Sequence, residues 1–213
     1  MTSPEPLVPA SGLRVGFVPG VTLTKWRRIW AERFPRTPLE VVAVAPADQR
    51  STLDTGRVDM CFVRPPIVSD GLHTIRLYDE VPVVVVPKDH ALAAFDEVTL
   101  SDLAGETLID GDLGDAFDRV AWGSGVLRVP HSIARSHSRR DLVYRPIADA
   151  EPTTIALAWL VDSTDDLIEE FIGIVRGRTE NSSRTAAARA ARTAAKPANL
   201  PTPTRARRRA RRH

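Results

Sequence analysis

Cysteine is almost absent. Of 213 residues only Cys61 carries a thiol, so no disulfide can close within the chain, and a disulfide-built secreted fold is excluded. Long apolar runs are missing too. No stretch approaches the roughly 20 residues that cross a bilayer, and residues 1–12 show neither the basic nor the apolar region of an export signal. The expectation is a cytoplasmic protein with no membrane partner. Aromatics are sparse at 6%, but a hydrophobic content of 43% is enough for a core. Acid is scarce at the C-terminal end. Residues 179–213 carry ten Arg and Lys against the single Glu180, which leaves 19 basic and 26 acidic residues in 1–178. The formal charge of +2 therefore hides an acidic body behind a basic tail, and an acidic body argues against a broad nucleic-acid face on the globular part.

The N-terminal half reads as β-α-β-α-β. Leu13–Val18 is an apolar strand broken at Pro19-Gly20. Thr22–Phe34 follows as a helix, with Leu23, Trp26, Ile29, Trp30 and Phe34 on one face. Leu39–Val44 is a second strand, Pro46–Thr55 a short helix closed by Gly56, and Val58–Val63 a third strand stopped by Arg64-Pro65-Pro66. Short loops between such elements predict parallel strands and right-handed crossovers. Ligands in open parallel sheets bind beyond the carboxyl ends of strands. Three turns meet that edge: Pro19–Thr22, Ala45–Gln49 and Arg64–Ile67. In the first, helix-start amides and the Thr22 hydroxyl suit a small anionic or polar group.

Further on, Gly71–Glu80 and Val81–Pro87 read as strands, Val98–Ala104 as a helix entry, and Thr107–Asp110 as a strand before the turn Gly111–Gly114. Ala116–Trp122 reads as a helix, Gly125–Val129 as a strand and His131–Ser138 as a helical piece. Leu142–Pro146 and Thr153–Val161 read as strands. Asp165–Arg176 is an amphipathic helix capped by Ser163 or Thr164. Residues 1–12 and the Ala/Arg/Pro-rich 179–213 read as disordered.

Several sharper chemistries lack support. Cys61 sits in an apolar run and reads as a buried inert thiol. His73, His90, His131 and His137 have no partners at metal spacing, so no metal or cofactor is expected. Ser124 in Gly123-Ser124-Gly125 lacks the flanks of a nucleophile elbow, and the glycines at 12, 16 and 20 lack dinucleotide-loop spacing. No enzymatic role is expected. The acids of 165–170 read as a solvated helix face. Arg205, Arg207, Arg208, Arg209, Arg211 and Arg212 in the tail suit nonspecific nucleic-acid contact, without interleaved aromatics for base stacking.

Four runs, taken in order, resemble a known family. They are Leu13–Phe17, Gly56–Cys61, Val84–Leu92 followed by Val98–Leu103, and Gly123–Pro130. Over Leu13 to about Arg178 the chain is similar to the effector-binding domain of LysR-type transcriptional regulators. The resemblance implies an α/β, two-lobed fold of the type 2 periplasmic-binding-protein kind, with parallel-rich sheets and two crossing strands. Lobe one would span about 13–82 plus 153–178, and lobe two about 83–152. It implies an effector-sensing domain that binds a small polar or anionic metabolite in an inter-lobe cleft. Two copies pairing side by side, or a separate DNA-binding partner, are also implied. There are two departures. No winged helix-turn-helix precedes the first strand, so direct DNA reading is not expected. The stretch Asp110–Gly123 is short by about a strand and a helix, so lobe two is expected to be shortened. By match to the family, one cleft wall would be Pro19, Gly20, Val21, Thr22, Asp48 or Gln49, Arg64 and Pro65; the guanidinium of Arg64 suits bidentate pairing with an effector carboxylate, or is an ordinary surface arginine. Asp110, Gly111 and Ser124 would face them. The alternatives are a stand-alone cytoplasmic solute-binding protein, or a vestigial cleft used for partner binding.

Overall fold

The computed structural model describes residues 12–177. The readings made for 1–11 and for the tail, including its arginines, lie outside these residues. The elements are β1 (Leu13–Phe17), α1 (Thr24–Arg33), β2 (Leu39–Ala43), α2 (Gln49–Asp54), β3 (Met60–Val63), β4 (Leu72–Glu80), β5 (Pro82–Pro87), α3 (Leu113–Ala121), β6 (Leu127–Pro130), α4 (His131–Ser136), β7 (Leu142–Pro146), β8 (Thr153–Leu160) and α5 (Asp166–Val175). Single helical turns lie at Pro46–Asp48, Ala91–Ala94 and Ser101–Leu103. The last of these stands where a helix entry was expected.

Two sheets form: five strands in the order β2-β1-β3-β8-β4, and three in the order β6-β5-β7. β1 pairs in parallel with both β2 and β3, as the β-α-β-α-β reading requires. The expectation of parallel-rich sheets is corrected elsewhere. β8 is antiparallel to β3 and β4, and all named pairs of the smaller sheet are antiparallel. The reason is that β5 and β8 each enter a sheet by crossing from the other one, and so run against their neighbours.

Why these residues fold this way is visible in the contacts. The β1 periodicity buries Leu13 and Val15 on one face, where Trp30 of α1, Phe62 of β3 and Phe171 of α5 complete the core. Trp26 stacks on Phe62 with centroids 4.8 Å apart, worth about 0.5–1.5 kcal/mol beyond burial. The other face packs Leu53, Val58, Cys61 and Ala158. Asp59 ties β3 to β1: its carboxylate accepts the Arg14 backbone N–H at 2.7 Å and an Arg14 guanidinium bond at 2.5 Å, which holds the Arg14 guanidinium above its ordinary pKa. In the smaller sheet, Val83, Val85, Leu127 and Val129 pack under α3 and α4, and Val84, Val86, Leu92 and Leu103 pack on the opposite face.

Other boundaries shift for local reasons. Asp165, not Ser163 or Thr164, caps α5, its carboxylate accepting from Leu167 N at 2.9 Å. Among the described residues Thr107–Asp110 makes only the parallel bridge Leu108↔Val126, with no strand on its other side. Gly125 lets that bridge close, since a Cβ there would stand 2.2 Å from the Thr107 carbonyl oxygen.

Candidate functional site

The chain turns between β1 and α1 at Val18–Val21. Val21 N–H donates to the Val18 carbonyl at 3.3 Å, and Gly20 takes φ +93°. Pro then Gly at the centre of a tight turn is what such a backbone favours. Helix α1 starts with Leu23 at its N-cap and no side-chain cap bond. Thr22, expected beside the helix start, is exposed and makes no cap bond to the helix. The first-turn amides of α1 therefore carry no side-chain cap.

Arg64 stands at the end of β3 and organises the turn from beneath. Its backbone N–H donates to Gln49 Oε1 at 2.6 Å, while buried Gln49 donates through Nε2 to the carbonyls of Pro46 (2.8 Å) and Arg64 (3.3 Å). The guanidinium donates to Glu80 at 2.7 Å through Nη2 and 3.3 Å through Nε, and Nη2 also reaches the Pro19 carbonyl at 3.1 Å. Glu80 is buried at 5% exposure and Arg64 is partly buried at 13%. The expected pairing of Arg64 with a ligand carboxylate is thus corrected: Glu80, the last residue of β4, fills that place. Tyr78, just upstream, has its phenol pushed up by burial and by Glu80.

The opposite wall comes from α4. β6 runs antiparallel to β5, so Pro130 pairs with Pro82 and His131 N–H donates to the Val81 carbonyl at 2.9 Å. This sets the start of α4 at the crossover from β4 to β5, beside the Pro19–Gly20 turn. A Cβ on Gly20 would lie 2.3 Å from Ser132 Oγ and 3.2 Å from Ile133 Cγ1. Next to this contact a groove of about 350 Å³ is lined by Gly20, Val21, Thr22, Ser132, Arg135 and Ser136. Ser132 Oγ is sealed from solvent without a hydrogen-bond partner among the described residues. Ser136 Oγ donates to the Ile133 carbonyl at 2.9 Å.

The sequence-expected residues divide accordingly. Gly20, Val21 and Thr22 line the groove, while Pro19, Gln49 and Arg64 form its support. Asp48 and Pro65 are exposed and outside its lining. Asp110 and Gly111 are exposed at the entry to α3, where Asp112 caps the helix by accepting from Gly114 N at 2.9 Å. Ser124 fits the site least. It lies before β6, at the end of that strand away from Pro130, with its N–H bonded to the Arg119 carbonyl. Ser132 and Arg135 were missed, because a six-residue helix gives no amphipathic period to read. The one usable signal was Pro130 itself, which ends a strand and opens a helix.

Cys61 is fully buried, and desolvation pushes its thiol up to about 12. Among the described residues no group of three or more His, Cys, Asp or Glu could hold a metal ion, and no helix is long and apolar enough to cross a membrane.

Comparison with known proteins agrees with this architecture. The family model described as the LysR substrate binding domain matches residues 8–120. The Hca operon transcriptional activator HcaR of Escherichia coli is 26% identical over 200 residues, covering 78% of this chain and 67% of the relative. Other curated relatives are matched over 20–60% of their own length, so the chain spans only part of them. Among solved structures, the BenM effector binding domain with its effector benzoate superposes with a TM-score of 0.69 at 22% identity, covering 80% of this chain and 95% of that one. The reduced OxyR regulatory domain from Pseudomonas aeruginosa gives 0.65 at 22% identity, with 79% and 96% covered. Matched in sequence over more than half its length and in fold over most of it, this chain belongs to the LysR substrate-binding domain family.

Proposed function

We propose that the chain is the effector-sensing part of a LysR-type transcriptional regulator and binds a small organic molecule in the groove between the Pro19–Thr22 turn and α4. One observation carries this reading. The two sheets meet at Gly20 and Ser132 beside an open groove, and the hydroxyl at that meeting point has no partner. A molecule seated there touches both sheets at once. The polypeptide crosses between them at Glu80–Pro82 and again at Pro146–Thr153. Occupancy of the groove therefore acts on the angle between the sheets, and through it on whatever DNA-binding unit or second copy the chain is joined to. Those partners, and the two-lobe division at about residues 82 and 153, belong to the same proposal. The relatives are regulators by name, which supports a binding role over a catalytic one.

The test is a thermal-shift and calorimetric screen of organic acids, amides and amino acids, with Thr22→Val and Arg135→Gln, both exposed on the groove lining, as comparisons. Benzoate is a sensible first compound, because BenM carries it as effector. At least one compound should raise Tm, and both variants should bind it about tenfold or more weakly, as loss of one or two hydrogen bonds to a bound ligand predicts. Variants that respond like the parent chain would remove the groove from consideration.

A further inference from the structure

The outer edge of the smaller sheet is uncovered, and its charge is of one sign. Thr107–Asp110 bridges to Val126 on one side only, and the N–H and carbonyl of Leu108 have no partner among the described residues. Leu108 is 52% exposed, and Trp122, at the end of α3 just before Val126, is 76% exposed. Asp115, Asp118 and Trp122 fall at spacings of three and four, so they share the face of α3 opposite buried Ala116, Phe117 and Val120. Residues 89–118 hold nine Asp and Glu and no Lys or Arg. Two arginines of the body reach this edge: Arg139 donates to Asp118 at 2.5 Å and Arg119 to the Asp110 carbonyl at 3.4 Å. Asp110, Asp112 and Asp115 stay exposed, with no salt bridge among the described residues. An open indole ringed by carboxylates suits arginine, whose planar cation stacks on the ring while its N–H groups pair with the acids.

We propose that this edge is the docking surface for the chain's own arginine-rich segment, residues 205–212, with arginines seated on Trp122 and beside Asp110, Asp112 and Asp115. Charge matches on the two sides. Ten Arg and Lys against one Glu give residues 179–213 a balance of +9, and nine acids without a base give residues 89–118 a balance of −9. Reach is sufficient. Between Gly177 and Arg205 lie 27 residues, which at about 3.3–3.6 Å each span up to about 90 Å, against a body about 40 Å across. A second copy meeting this one edge to edge would set acid against acid. The tether also keeps the segment at a high local concentration. The contact is independent of the groove, which lies at the other end of β6.

The experiment reads Trp122 in the full chain by fluorescence quenching with acrylamide, which is uncharged. Trp26, Trp30 and Trp159 are buried or half-buried, so Trp122 dominates the quenchable signal. Three variants are compared with the parent: Arg205→Ser, Arg207→Ser, Arg208→Ser, Arg209→Ser, Arg211→Ser and Arg212→Ser combined; Asp115→Lys; and Trp122→Phe. The parent should be quenched less than the combined variant and less than Asp115→Lys. Its protection should vanish in about 1 M salt, where the Debye length falls to about 3 Å. Against a Trp122→Phe background the combined change should make no difference. Equal quenching of the parent and the combined variant, or of the parent and Asp115→Lys, overturns the proposal. So does protection that resists salt, or a difference that persists without Trp122. Protection that fades on dilution gives the edge to the same segment of a second copy and overturns the contact within one chain.

Discussion

At Gly20 two constraints coincide: a φ of +93° and the absence of room for a Cβ, 2.3 Å from Ser132 Oγ. Ala at this position has to strain the turn and push α4 away. Gly20→Ala should therefore lower stability by about 1–3 kcal/mol, readable as a lower urea midpoint, and should weaken any groove ligand more than Thr22→Val does. A variant as stable as the parent would mean the turn relaxes and the contact is not close. Charge acts at single residues too. The Asp102 carboxyl is held below its ordinary pKa by the Thr99 backbone N–H and then the Thr99 hydroxyl, both at 2.7 Å. Asp79 and Asp141 are lowered by Arg76 and Arg139 in the same way. A depressed folded pKa contributes stability above the unfolded value of about 3.9 and loses it as pH falls through the lower folded value. The Tm gap between the parent chain and Asp102→Asn should be full at pH 6 and close toward pH 2; a gap independent of pH would contradict the assignment.

Among the elements, the link between β3 and β4 is the one the sequence hid. Arg64 and Glu80 are sixteen residues apart on strands that are not neighbours, since β8 lies between them. Local periodicity cannot pair them, because their meeting depends on where β8 inserts. Removing either partner leaves the other charge in a largely buried place, so Glu80→Leu or Arg64→Met should cost about 3–5 kcal/mol, while the double variant carrying both should cost clearly less than the two singles together. A double-mutant cycle in urea decides this, and additive singles would mean that water already screens the pair. By contrast β1-α1-β2-α2-β3 was legible. Leu23, Trp26, Ile29, Trp30 and Phe34 repeat at helical spacing, and Pro19-Gly20 and Gly56 punctuate the ends. For the same reason one groove wall, Gly20–Thr22, could be placed from the sequence. The other wall could not. Asp110 and Ser124 looked right as strand-end residues. Only the antiparallel course of β6 shows that Pro130, and hence Ser132, is the end that meets the crossover.

For the whole molecule, the two sheets are unequal versions of one plan. In the larger sheet β1 has β2 on one side and β3 on the other. In the smaller one the corresponding stretch, Thr107–Asp110, bridges toward β6 only, and Leu108 stays 52% exposed with Trp122 at 76%. The smaller sheet holds three strands, with Thr107–Asp110 at its outer edge and the start of α4 at the crossover. The groove wall is carried by α4, which follows the end of β6 where that edge strand pairs with β5, itself paired on both sides.

The placement of β8 also dictates an order of events during synthesis. β8 lies between β3 and β4 and, among the described residues, is the only strand neighbour of β4, yet it is the last of these strands to be made. Residues 82–146 hold every strand of the smaller sheet in one contiguous run. As the chain leaves the ribosome, the second unit has all its strands before the first can close. Until Thr153–Leu160 emerges, β4 waits with both edges bare. A chain stopped at Ala150 should keep amide protection in β5 and lose it in β1 and β3, as hydrogen exchange would read; equal protection in both would show that the larger sheet closes without its last strand.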